Sequence, residues 1–249
     1  MTIDKHVIAL ISIVGSSLDV LGAMYLAYDL LGGEHGPLRT LTRFVTYGSL
    51  YGLGYGLAAG PLFGLAAGAA HGITLAWEYS RASRNEPKPS WWLDAFMSAI
   101  RGAGFAVGAS WTLGPRFGIT FGLLSAVGQT VAYQVGIRPT LDYKPAARPR
   151  ISRVQLLAGA NRTVGYAIAG YISSLVAHDR SQAVAIGLRS GLVIGLVTVI
   201  VGTCTPFIEW TADRLPEKRM GVVGVGLILV GFALQSIQYW AVLLNLPVH

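Results

Sequence analysis

The chain has 249 residues, of which 53% are hydrophobic and only 12% charged, and its formal net charge is +7. A soluble domain averages about 25% charged residues, so this composition, with a mean hydropathy of +0.53, excludes an ordinary water-soluble fold and points to an integral membrane protein. The single cysteine, Cys204, excludes an intrachain disulfide framework and a CxxC metal site.

Taken in order, the apolar runs predict eight membrane spans, each near the roughly 20 residues that cross a bilayer. The first is about Val7–Leu31; it contains Asp19 and stops at Gly32-Gly33. Asp19 interrupts the run and no small-x-small cleavage site follows, so the segment reads as a span and not as a signal peptide. The second and third spans, about Arg43–Gly60 and Pro61–Trp77, share a glycine at every fourth residue: Gly48, Gly52, Gly56, Gly60, Gly64, Gly68 and Gly72. On a helix that spacing stacks the glycines on one face. A glycine costs roughly 1 kcal/mol relative to alanine in a solvated helix, whereas small-xxx-small faces let membrane helices approach closely. Gly60-Pro61 predicts the turn between the two, because one helix from Arg43 to Trp77 would run about 52 Å, too long for a bilayer. This glycine-striped hairpin resembles the packing style of the Tim translocase family. The likeness lies in glycine spacing over the second and third spans alone, and no residue role is carried over from it.

A polar loop, Glu78 to Asp94, carries Arg81, Arg84 and Lys88 and closes on Trp91-Trp92, a pair suited to the interface. The fourth and fifth spans, about Ala95–Gly114 and Pro115–Val135, repeat the earlier turn. Gly60-Pro61-Leu62-Phe63-Gly64 matches Gly114-Pro115-Arg116-Phe117-Gly118, and Gly68 matches Gly122, as an internally repeated hairpin would. After the basic loop Gly136–Arg153, the sixth and seventh spans, about Val154–Ala177 and Ser181–Phe207, make a third hairpin turning at His178-Asp179-Arg180. Its helices carry Gly165, Ala169, Ser173 and Gly187, Gly191, Gly195 at the same step. The last span, about Val222–Leu244, contains Gln235 and Gln238. The expected fold is therefore an all-α integral membrane protein of one polytopic domain: three glycine-rich helical hairpins flanked by a first and a last helix.

Charge sets the expected orientation. Arg39, Arg43, Arg81, Arg84, Lys88, Arg138, Lys144, Arg148, Arg150, Arg153, Arg214, Lys218 and Arg219 fall on one side of the bundle, and only Lys5, Arg116 and Arg180 on the other. Lys/Arg-rich loops are cytoplasmic, so both termini are expected outside, in a bacterial-type plasma membrane. The same distribution explains the basic balance by orientation and anionic-lipid contact, and no nucleic-acid partner is expected.

Few residues suggest chemistry. Asp19 falls near the midplane, where an ionisable group usually faces a bundle interior or cavity. Arg189 matches its depth best and Arg101 second, so these three form the candidate polar membrane site, either a substrate or proton site or an ion pair that docks the first span. Arg162 reads as a residue that snorkels to the interface, and with Arg43 and Arg101 it suggests a cationic ring at the inner mouth. His71 has no second histidine at suitable depth, so it reads as a packed, hydrogen-bonded histidine and not as a haem ligand. Gln129, Gln235 and Gln238 read as interhelical hydrogen-bonding groups. No HExxH, P-loop or nucleophile elbow is present, so no cofactor, metal or catalytic site is expected. The leading function is a transporter or channel-like protein for a small solute, ion or lipid. The alternative is a membrane subunit or scaffold whose faces at Gly48, Gly52, Gly56, Gly64, Gly68 and Gly72 pack a partner membrane protein, a second copy of the chain, or lipid.

Overall fold

Gly60-Pro61 and Gly114-Pro115 each break a helical run, and both breaks are hairpin turns. The computed structural model describes residues 5–30, 39–84, 86–138, 153–177, 180–212 and 217–243. Among the described residues there are eight helices and no strand: α1 (Lys5–Leu30), α2 (Arg39–Ala59), α3 (Pro61–Ser83), α4 (Trp91–Leu113), α5 (Pro115–Gln134), α6 (Arg153–Val176), α7 (Ala183–Ala212) and α8 (Glu217–Leu243). Gly60 and Gly114 turn the chain at φ 102° and 91°, a left-handed conformation that glycine adopts without steric cost. Pro61 and Pro115 follow as first helical residues, where the missing N–H is no loss.

Several boundaries differ from the sequence expectation. Helix α3 runs six residues past Trp77, to Ser83. The hydropathy falls there because the side chains turn inward: Glu78, Tyr79 and Ser80 are all buried, and no proline intervenes before Pro87. Asp94 and the Trp91-Trp92 pair likewise belong to α4 and not to a loop. Asp94 is buried and accepts hydrogen bonds from Arg138 and from Gln134 at 3.0 Å. Lys218 and Arg219 lie in the first turn of α8. The turn at His178-Asp179 and the basic loop 139–152 lie outside the described residues. Among the described residues, two helices are long and apolar enough to cross a membrane by composition: α7 over Ala183–Thr205 and α8 over Gly221–Trp240, with mean hydropathies of 2.2 and 1.8. A shorter apolar stretch, Val7–Ala23, lies in α1, and in α3 and α4 glycine and buried polar side chains lower the average.

By their internal contacts the helices fall into two compact units, residues 43–210 and the two chain ends, 1–42 with 211–249. In the larger unit, glycine faces meet inside each hairpin. A Cβ added at Gly68 would lie 2.6 Å from Gly52 Cα and 2.7 Å from the Gly48 carbonyl, and one at Gly122 would lie 2.5 Å from the Gly102 carbonyl and 2.6 Å from Ala106 Cβ. At Gly191 the same construction meets Ala167 Cβ at 2.8 Å and also meets the Thr163 carbonyl. One register therefore recurs three times. Gly48, Gly102 and Thr163 hold one position on the first helix of each hairpin, and Gly68, Gly122 and Gly191 hold its mate on the second. In the third hairpin the α6 face is Thr163, Ala167 and Gly170; Gly165, expected in the contact, has nothing within 4 Å of its Cβ position.

The smaller unit pairs α1 with α8. Gly15 and Gly22 face Gly231 and Gly224, with added Cβ atoms 2.6 Å and 2.5 Å from the opposing carbonyls. Glycines seven residues apart lie nearly on one face after two turns. Polar groups join the same seam: Ser12 Oγ donates to Gln238 Oε1 at 3.4 Å, and Gln235 Nε2 donates to Asp19 Oδ2.

Candidate functional site

Arg101 stands one residue before the close-packed Gly102, so its side chain is directed into the bundle of the larger unit, where it is 0% exposed. Three partners hold it. Its Nη2 lies 2.7 Å from Glu78 Oε1, its Nε donates to Thr74 Oγ1 at 2.5 Å, and its Nη1 donates to Tyr133 Oη. Tyr133 in turn donates to the same Glu78 oxygen at 2.8 Å and accepts from Gln129 Nε2 at 3.1 Å. Thr74 closes the network on its own helix by donating to the Ala70 carbonyl at 2.8 Å. A buried ion pair with its hydrogen bonds made on both sides is the arrangement that makes such a pair tolerable in a low-dielectric interior.

Arg162, on α6, occupies the position of the third hairpin that Arg101 occupies in the second, one residue before Thr163. It is 8% exposed, and the expectation that it snorkels to the interface is corrected here. Its Nη1 donates to Thr198 Oγ1 at 3.0 Å, and Thr198 passes the bond to the Ile194 carbonyl at 2.7 Å. Tyr51, Tyr55, Tyr133 and Tyr166 are its electrostatic neighbours. Among the described residues no carboxylate reaches it. It lines a cavity of about 340 Å³ between α5 and α6, with Gln129, Tyr133, Asn161 and Tyr166 and the apolar residues Leu124, Val131, Val164 and Ile168.

A second cavity, of about 180 Å³, sits at the turn end of the same unit, among Ala58, Phe63, Ala109, Phe117, Phe121 and Ile194, with Arg189 and Ser190 at its edge. Between the two cavities lies an aromatic cluster. Phe105 contacts Tyr55, His71, Phe121 and Tyr166 at ring-centroid distances of 5.2–5.9 Å. Phe121 lines the turn-end cavity and Tyr166 the other, and their rings are 5.9 Å apart.

Within its own unit, each residue of the candidate polar site has a local partner. Asp19 takes Gln235 as its partner, where an arginine was expected, and its second oxygen, Oδ1, is buried without one. Arg189 is exposed and donates to the Ala58 carbonyl at 3.2 Å, and Arg101 takes Glu78. Arg43 is buried and donates to Ser80 and Ser83, at 3.3 and 3.1 Å, while Arg101 and Arg162 both neighbour Tyr133. His71 is the packed residue expected: Nδ1 donates to the Ala67 carbonyl at 2.8 Å and the ring stacks on Tyr51 at 4.5 Å. Gln235 and Gln238 do bridge helices, while Gln129 bonds within its own helix. Sequence reading missed Glu78, Tyr133 and the cavity at Arg162. The available signal was the repeat itself, which puts Arg101 and Arg162 at matching places.

The Asp19–Gln235 bond across α1 and α8 is expected to show a coupling of about 0.5–1.5 kcal/mol in a double-mutant cycle. The cycle combines Asp19→Ala with Gln235→Ala and reads unfolding in detergent. Additive losses would show that the bond contributes nothing to the pairing. Comparison with protein-family models, with curated proteins and with solved structures finds no match to this chain.

Proposed function

We propose that the protein is a multi-pass membrane protein whose eight helices all span the bilayer, and that residues 43–210 carry a small anion across it. The observation that carries this reading is the pair of cavities on either side of the Phe105 cluster, each with an arginine at its wall. Along α5 the turn-end cavity is lined by Phe117 and Phe121 and the other from Leu124 to Tyr133, so the linings begin three residues, or about 4.5 Å, apart and follow one another in depth, with the aromatic rings as the barrier. The distribution of side chains supports the membrane setting. Leu57, Leu65, Val107, Leu123, Val127, Leu192 and Leu196 point outward, while Glu78, Arg101, Arg162, His71 and Thr74 are buried. Apolar outside and polar inside is the order a bilayer favours. Internally repeated hairpins with a site at their interface are a recurrent transporter plan. The distribution of basic residues in the sequence supports an orientation with the Arg162 cavity toward the cytoplasmic side and both termini outside.

The scaffold reading used the glycine faces as a surface for partners. Gly48, Gly52, Gly56, Gly64, Gly68 and Gly72 each approach a residue of their own hairpin, so the transport reading is preferred over a scaffold that uses those faces.

The test is uptake of radiolabelled chloride, phosphate and short-chain carboxylates into liposomes holding the purified protein. At least one anion is expected to enter saturably and faster than into protein-free vesicles, and Arg162→Gln is expected to slow it roughly tenfold or more. Identical uptake with and without protein for every anion would sink the transport reading.

A further inference from the structure

The three-fold register makes Arg101 and Arg162 equivalent, and their surroundings can be compared position by position. Arg101 is satisfied by Thr74 and Glu78 on the second helix of the preceding hairpin, and by Tyr133 on its own. Thr74 and Glu78 lie six and ten residues after Gly68; six and ten residues after Gly122 stand Gly128 and Ala132. Tyr133 lies eleven residues after Gly122; eleven residues after Gly191 stands Gly202. Each of the three side chains that clamp Arg101 is thus replaced, around Arg162, by a glycine or an alanine. Gly128 and Ala132 both line the cavity beside Arg162.

The helix spacing agrees. Gly104 on α4 presses on α3, its Cβ position 2.6 Å from Ala70 Cβ, whereas the equivalent Gly165 on α6 has nothing within 4 Å. The α5–α6 seam is therefore open where the α3–α4 seam is closed. The cavity is the space that a threonine and a glutamate would fill, and a guanidinium remains at its wall.

We propose that this cavity binds a carboxylate with an apolar tail, its head on Arg162 in the place that Glu78 takes on Arg101. This deepens the anion-carrier reading and rests on it for the ligand's passage, though not for its binding. The carboxylate class comes from the internal precedent, in which one carboxylate oxygen receives Arg101 Nη2 and Tyr133 Oη together. Tyr133, Gln129 and Asn161 line the open cavity together with Arg162, and an arginine fork suits a carboxylate. The tail follows from the remaining walls, Leu124, Val131, Val164 and Ile168, of which the last three are exposed on the outer surface. The head is drawn by charge and the tail by apolar burial.

The experiment measures binding of radiolabelled octanoate to the purified full chain in detergent, beside acetate, oleate and inorganic phosphate. Octanoate or oleate is expected to bind saturably and more tightly than acetate or phosphate. Preference for oleate assigns the ligand to the bilayer and preference for octanoate to the aqueous phase; either supports the site. Arg162→Gln is expected to weaken binding at least tenfold. Ala132→Glu, which installs the counter-ion of the sister site, is expected to abolish binding and raise the melting temperature. Where Ala132→Glu does not fold, Gly128→Thr is the second variant, expected to narrow the cavity and weaken octanoate. Phosphate binding best, acetate matching octanoate, or octanoate binding unchanged in Arg162→Gln would overturn the proposal. Intact octanoate binding without uptake in liposomes would count against transport alone, and uptake that persists in Ala132→Glu would count against this site alone.

Discussion

Glu78→Ala is expected to destabilise the protein by about 3–5 kcal/mol, because removing one partner of a buried pair leaves an uncompensated charge. Arg101 has no route to solvent at 0% exposure, and Glu78 Oε1 is the acceptor for both Arg101 and Tyr133. One substitution therefore strands two donors. Unfolding in detergent with increasing SDS measures the loss. Adding Arg101→Met to Glu78→Ala is expected to recover at least half of it, since the stranded guanidinium is then gone and Met fills part of its volume. Two additive losses would show that the pair is not a unit. Glu78→Gln separates charge from shape: it retains an acceptor for Tyr133, and its loss is expected to fall between wild type and Glu78→Ala.

Gly64 and Gly56 flank the same turn, and the packing predicts unequal results for them. A Cβ at Gly64 would stand 2.6 Å from Gly56 Cα and 2.7 Å from Gly56 N, backbone atoms that cannot swing away; a Cβ at Gly56 meets only Gly64 Cα, at 3.8 Å. Gly64→Ala is accordingly expected to cost about 1–3 kcal/mol as overpacking. Gly56→Ala fits within ordinary van der Waals contact and is expected to stay within about 0.5 kcal/mol of wild type. Gly64→Leu should lower the melting temperature further than Gly64→Ala, while Gly60→Ala should be costly for another reason, the positive φ at that residue. Equal effects at Gly56 and Gly64 would mean that the α2–α3 seam is not packed in this register.

The order of helices was legible in the chain because its determinants are local. Gly60-Pro61 and Gly114-Pro115 mark turns by backbone chemistry alone, and the four-residue glycine step shows a helical face wherever it occurs. His71 was legible for a similar reason: no second histidine was in place to make it a ligand. The polar network was not legible, because hydropathy scores a residue without knowing which way it points. Glu78 lowers the apolar average beyond Trp77 and so looks like loop, yet the helix continues and turns it into the bundle. Depth along a helix suggested Arg189 for Asp19, but depth fixes only one of three coordinates, and azimuth gave Asp19 to Gln235 and Arg101 to Glu78.

The sequence by itself determined eight helices, two glycine-proline turns and an apolar exterior composition, all consequences of local propensity and spacing. Tertiary structure alone decided which arginines have counter-ions. That depends on the register between hairpins, where Thr74 and Glu78 meet Arg101 while Gly128 and Ala132 leave Arg162 beside an open cavity. A buried charge is settled by the few atoms within hydrogen-bond distance, and those atoms come from residues distant in the chain.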